Sequence, residues 1–220
     1  MKRIIKCMLR VTILVSILTL LFIGAMACGK SASAYQLTHS AEDAEYILSW
    51  DSIVSECPDI GDYEKLGDFV HRGESKQLST GETFTIEMDS PVAWSSVRFA
   101  RTEWTGEKFR SFGIYIMYCE TNEELNEYLM MDDVNSIMQG AMMQEEGDFT
   151  TAVAEAETPL QSIQLLLAGK HFVIILMEYA TPDASLFFSK DKLTELLSTA
   201  KDNINSLEIT PLPLDIPGRL

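Results

Sequence analysis

The sequence predicts an α+β domain: an antiparallel sheet of about six strands in two strand-strand-strand-helix halves, packed by two amphipathic helices and preceded by an N-terminal helix. Three stretches carry that expectation. "FRSFGIYIMYCE" sets Phe112, Ile114, Ile116 and Tyr118 on one side and Tyr115, Met117 and Cys119 on the other. Both faces are apolar, as in a central strand covered on both sides. "LQSIQLLL" and "HFVIILMEY" flank "AGK", which reads as a three-residue hairpin loop with Gly169. "SKDKLTELLSTAKDNINSL" opens on a capping Ser189 and carries Leu193, Leu196, Leu197, Ala200, Ile204 and Leu207 in one stripe. Leu196 and Leu197 are expected on the same sheet-helix interface as Ile114 and Ile116.

The other elements come in chain order. Ser40, with Asp43 three residues on, opens a helix over 41–56. Ala44, Ile47, Leu48, Ile53 and Val54 approximate one face of it, and Cys57-Pro58 stops it. Residues 58–82 are polar, with one apolar cluster at Leu66, Phe69 and Val70, and read as loop with at most one helical turn. "TFTIEM" alternates as a strand, and "WSSVRFARTEW" sets Val97 and Phe99 opposite Arg98 and Ala100. "TGEK" makes a turn with Gly106. Thr121 and Glu124 form a capping box for a helix with Leu125, Tyr128 and Leu129 on one face. Asp132 and Asp133 break or restart this helix, which then runs through Ile137, Met138, Ala141 and Met142. "FTTAVAEAE" alternates like an exposed strand. The two halves share no residue-level identity. Their element order is similar to that of PsbP/Mog1-type sandwiches among exported proteins, a resemblance that implies an α+β sandwich and no activity.

The N-terminus is of another kind. "MKRIIKCMLR" holds four basic residues and no acid, thirteen uncharged residues come next, and "GAMAC" closes the stretch. A basic region, a short apolar run and small residues before a cut are the parts of an export signal. The apolar run is shorter than the ~20 residues a spanning helix needs, and the basic start directs the chain beyond Cys28 outside. Ala25-Met26-Ala27 fits general signal peptidase. The same tripeptide before Cys28 resembles the lipobox of bacterial lipoproteins, whose cysteine takes a diacylglyceryl group, and the polar "GKSAS" beyond it reads as a tether. The expected organisation is a signal peptide at 1–27, a flexible tether at 28–40, an N-terminal helix and loop at 41–82, the sandwich at 83–207 and a tail at 208–220. The resemblance implies lipidation at Cys28 and a domain held outside the cell membrane.

Four basic residues precede Cys28; the rest carries 13 basic against 33 acidic residues, a balance of −20. That field repels nucleic-acid phosphates and anionic lipid heads, so no nucleic acid is expected as partner. Cys57 and Cys119 either form a disulfide, permitted in an oxidising compartment, or stay as buried thiols. The three histidines, His39, His71 and His171, sit in unrelated segments, with no nucleophile elbow and no zinc spacing. Asp59, Asp62 and Glu64 do not match a calcium-loop order. Met130, Met131, Met138, Met142 and Met143 could hold copper(I), fill core or face a partner. Trp94 and Trp104 bracket a strand and read as packing at sheet ends.

The expected role is a membrane-tethered, non-enzymatic module that binds an unknown protein or small ligand, without cofactor or metal. The alternatives are an exported hydrolase whose site forms only in the fold and a metal-handling lipoprotein. The expected interaction patch is Met138, Met142 and Met143 with Leu186, Phe187 and Phe188, the apolar groups outside the regular stripes.

Overall fold

The computed structural model describes residues 35–57, 60, 63–77, 83–101, 108–139 and 141–209. The signal peptide, Cys28, the Asp59/Asp62 loop, the Gly106 turn, Trp104 and residues 210–220 lie outside them.

The protein is α+β, built on an antiparallel sheet. Its strands are β1 (Tyr63–His71), β4 (Trp94–Arg101), β5 (Arg110–Tyr118), β6 (Met142–Glu146), β7 (Phe149–Ala156), β8 (Gln161–Gly169) and β9 (Phe172–Ala180). They lie in the order β1-β4-β5-β9-β8-β7-β6, and β2 (Ser75–Gln77) and β3 (Thr83–Thr85) form a separate two-stranded pair. β5 is central as its two apolar faces require: it pairs with β4 through Arg98↔Ile114 and with β9 through Ile114↔Leu176.

Helices cover both faces. On the first lie α1 (Ala41–Ile47), α2 (Trp50–Glu56) and α5 (Lys190–Asn205). Leu193, Leu196, Leu197, Ala200 and Ile204 of α5 are buried with Ile114, Ile116, Leu165, Leu167 and Leu176 in one cluster. On the second lie α3 (Asn122–Leu129) and α4 (Asp132–Gln139), whose Leu125, Leu129, Val134 and Ile137 pack with Met117, Leu166, Val173 and Ile175. Alternation along each strand sends successive side chains to opposite layers, so β8 and β9 need near-continuous apolar runs.

Several expectations are corrected. The helix over 41–56 is two helices. Its break falls at Ser49, which caps α2 through the Ser52 N–H, and Glu45 reaches across the break to accept from the Ser49 hydroxyl and the Trp50 N–H at 3.0 and 3.1 Å. Residues 58–82 are not loop throughout: β1 occupies nine of them, pairing with β4 across an irregularity between Leu66 and Val70. The helix through Asp132 stops at Gln139, and Met142 starts edge strand β6. The β8–β9 turn has two residues, Lys170 and His171, at φ 47° and 77°, with Gly169 paired to Phe172 inside the ladder. Two positive φ angles match the turn twist that continues paired strands. Gly169 is required by close approach, since a Cβ there would lie 2.3 Å from the Asp148 carbonyl oxygen.

Residues 35–40, expected as free tether, are fastened to the domain. Buried Asp43 accepts from the Thr38 N–H at 3.1 Å, the Ser40 N–H at 3.1 Å, and the Thr38 and Tyr35 hydroxyls at 3.0 Å each. Burial, then the Asp43 bond, push the Tyr35 hydroxyl up to about 12, so it stays a donor. Its ring stacks on Tyr46 at 3.9 Å, and its backbone bridges Leu207. Asp43→Ala should therefore cost about 2 kcal/mol, the scale of bonds to one buried charge, limited because the short segment can detach without unfolding the sheet. Hydrogen exchange should accelerate in residues 35–40 while β5 and β9 keep their protection; unchanged exchange at Thr38 and Ser40 would refute the fastening.

Candidate functional site

The expected interaction patch does not form one surface. Met138 is buried and Met143 half-buried in the second layer, with the sheet between them and Leu186, Phe187 and Phe188 of the first. Phe188 is core: its ring meets Phe112 edge-on at 4.9 Å. Phe187 lies under the Arg110 guanidinium, 4.0 Å from its ring centre. The 186–188 loop is held by Glu178 of β9, whose carboxylate accepts from the Phe187 N–H and from the Phe188 N–H at 3.1 Å. Met142 is 70% exposed. It borders a cleft of about 290 Å³ between β6, β7 and α5, where Lys201 pairs with Glu146 and Lys190 with Glu155.

Among the described residues, Cys57 and Cys119 are both free. Cys57 packs half-buried in the first layer and Cys119 buried in the second, so the sheet separates them and, of the two alternatives, they stand as separate thiols. Burial pushes the Cys119 thiol up to about 12, which leaves it unreactive. His39 and His171 belong to an aromatic end of the sheet. His39 Nδ1 accepts from Trp94 Nε1 at 3.1 Å, and Trp94 and His171 each stack on Tyr118. His171 Nδ1 lies 2.8 Å from the Cys119 carbonyl oxygen. Trp94 is buried, matching its expected packing role. Among the described residues no three His, Cys, Asp or Glu side chains come together as a metal site.

A second cleft combines room, apolar lining and unbalanced charge. It opens on the second layer, between residues 84–92 and the α3–α4 turn, with a volume of about 470 Å³. Its floor is Met117 of β5 and Ser95 of β4; one wall is Phe84, Ile86 and Val92, the other Tyr128 and Met131. The 84–92 wall is set by backbone bonds that carry the chain past β3. The Gly73 N–H donates to the Ile86 carbonyl at 2.6 Å, and the Ile86 N–H to the Glu74 carbonyl at 3.2 Å. Gly73 takes φ 82°, and a Cβ there would strike the Met88 sulfur at 2.3 Å. Ser90 then turns the chain, its hydroxyl accepting from the Val92 N–H at 3.2 Å.

The helical wall is fixed at the start of α3. The Thr121 hydroxyl accepts from the Glu124 N–H, and Glu124 accepts from the Thr121 and Glu120 N–H groups, the expected capping box. Glu124 also pairs with Arg72 at 3.0 Å, tying the helix to the turn after β1. Burial works against ionising Glu124, but the bonds from Arg72 and the backbone outweigh it and hold its carboxyl below the usual range. The α3–α4 restart at Asp132 is what turns Met131 to the cleft mouth.

Of the large apolar side chains exposed on the described surface, Met131 at 48% lines this cleft; Met130, next to it in the chain, is 46% exposed, and Met88, 74% exposed, lies against the Gly73 turn. Glu87 and Asp89 stand exposed on the 84–92 lip, and among the described lining residues none is basic, histidine or cysteine. The chemistry on offer is apolar contact with an adaptable thioether rim, under negative charge. Sequence reasoning put Met131 among the methionines to test but missed the cleft, because its lining comes from four segments that only the fold assembles. Among the described residues no helix is long and apolar enough to cross a membrane. The chain matches no family model, no curated protein and no solved structure.

Proposed function

We propose that this protein is an extracytoplasmic lipoprotein, anchored through acylated Cys28, whose α+β domain is a binding module that uses the cleft between residues 84–92 and the α3–α4 turn. The anchor rests on the basic start, the apolar run and the Ala25-Met26-Ala27-Cys28 junction. The cleft carries the binding role: about 470 Å³ with a mostly apolar lining is the size and character of ligand sites. Ser90 and Ser95 line it with no histidine, lysine or arginine among the described lining residues, and the Ser90 hydroxyl accepts from the Val92 N–H as part of the turn, which favours recognition over bond chemistry.

The strand order supports the two expected halves in part: β4-β5 and β9-β8-β7 adjoin at β5 and β9, each followed by helix, but the expected first strand of the first half, β3, pairs with β2 apart from this sheet, and β1 lies beside β4 instead. The helices after the two halves cover opposite faces, so the likeness of the halves is one of strand order. The PsbP/Mog1-type element order agrees with such a sandwich and lends no activity.

Two experiments test the reading. Cys28→Ala should abolish incorporation of labelled palmitate and shift the protein away from the membrane fraction. Labelling that persists in the variant would refute the anchor. A random peptide library panned against the wild-type domain should converge on sequences that the Met131→Asp domain fails to enrich. Identical enrichment by both proteins would remove the cleft from consideration.

A further inference from the structure

Resting on the reading of this cleft as a recognition site, we infer that its occupant is a protein segment that inserts apolar side chains flanked by lysine or arginine. Charge is one ground. Glu87 and Asp89 stand exposed on one lip, with no basic residue among the described lining. Two carboxylates therefore flank an apolar floor, and the chain from Cys28 onward carries −20. An anionic segment would meet uncompensated negative charge at that lip, and a neutral one would leave it unanswered. A basic one gains contacts there and arrives faster along the field. The same field rejects anionic lipid and nucleic acid as occupants.

Shape is the second ground. Apolar surface reaches the helical edge of the cleft: Met131 lines it while 48% exposed, and Met130 beside it in the chain is 46% exposed. A small molecule seated on Met117 would leave much of Met131 in water, whereas an extended segment crossing the mouth covers it. Methionine also sets the kind of specificity. Its unbranched thioether repacks around different side chains, so the site accepts a class of apolar residues while charge fixes the flanks.

The test uses the full chain in nanodiscs of zwitterionic lipid and two labelled synthetic peptides. Both carry a central Leu-Phe-Leu; one is flanked by lysines, the other by glutamates at the same positions. Binding is read by fluorescence anisotropy, and the Met131 methyl signal by NMR. At low salt the lysine peptide should bind about tenfold or more tighter than the glutamate peptide and shift the Met131 methyl, and high salt should shrink that preference. The double reversal Glu87→Lys, Asp89→Lys, at exposed positions, should erase the preference without changing the melting temperature. Equal binding of both peptides, with both weakened by Met131→Asp, would overturn the inference and leave the site standing. A lysine preference that survives the double reversal would overturn it too, since the charge would then act from elsewhere. No binding of either peptide, or binding indifferent to Met131→Asp, would overturn the site and the inference together.

Discussion

Phe112→Ala is expected to cost about 3–5 kcal/mol, the range for deleting a fully buried aromatic ring. The ring is fully buried at the centre of the first layer and joins three segments. It stacks with Trp50 of α2 at 5.9 Å, meets Phe188 of the 186–188 loop edge-on at 4.9 Å, and stands on β5 opposite Glu178 of β9. Nothing nearby can close the cavity without dragging a helix or that loop with it. In a chain of this size the melting temperature should fall by roughly 10 °C or more. A loss below about 1 kcal/mol in urea unfolding would mean that Trp50 and Phe188 do not pack on this ring.

The second large effect is a pH dependence carried by Glu178. The residue is fully buried, and that burial raises its carboxyl from an ordinary 4.5 to about 7, against the opposing pull of the Phe188 and Phe187 N–H groups and Arg110. Proton counting sets the sign. Below about 4.5 the group holds its proton folded or unfolded, and its contribution is full. Between about 4.5 and 7 the unfolded chain ionises first, the folded state binds more protons, and stability falls as pH rises. Above about 7 the decline is complete, worth about 3 kcal/mol for a shift of this size. Glu178→Gln removes the ionisation while keeping an oxygen for the Phe187 and Phe188 N–H groups. The stability of wild type relative to Glu178→Gln should therefore drop by about 3 kcal/mol between pH 4 and 8. Parallel pH profiles for the two proteins would show that Glu178 is not the titrating group.

Legibility in the sequence went with local periodicity. The two-faced run at 112–119, the α5 stripe, the Thr121/Glu124 box and the β8–β9 hairpin each announce themselves within a dozen residues, and each is present. β1 did not, because Glu64, Lys65, Gly67 and Asp68 break any apolar alternation, and a strand at the sheet's end needs less of it. Met142 reads as helix because its spacing from Met138 suits one as well as a strand, and the contrary signal is a single residue, Gly140 between them. Glu178 did leave a signal: it is the lone acid in an otherwise apolar strand run, where a charge has to be buried or paired. The cleft left none. Phe84, Met117, Tyr128 and Met131 become neighbours only through the pairing of β5 and the seating of α3 on the second layer.

The fastening of residues 35–40 has a consequence in terms of force. A pull applied to the chain ahead of Tyr35 reaches no strand first. It arrives on the Tyr35–Asp43 and Thr38–Asp43 bonds and the Tyr35–Tyr46 stack, and these can be peeled apart one after another. Releasing the segment frees six residues, which extend to about 20 Å of slack. The sheet, with its strands bonded side by side, takes tension only after that slack is spent. Under load the segment acts as a fuse: it yields first, re-forms when the pull stops, and leaves the cleft on the far layer undistorted.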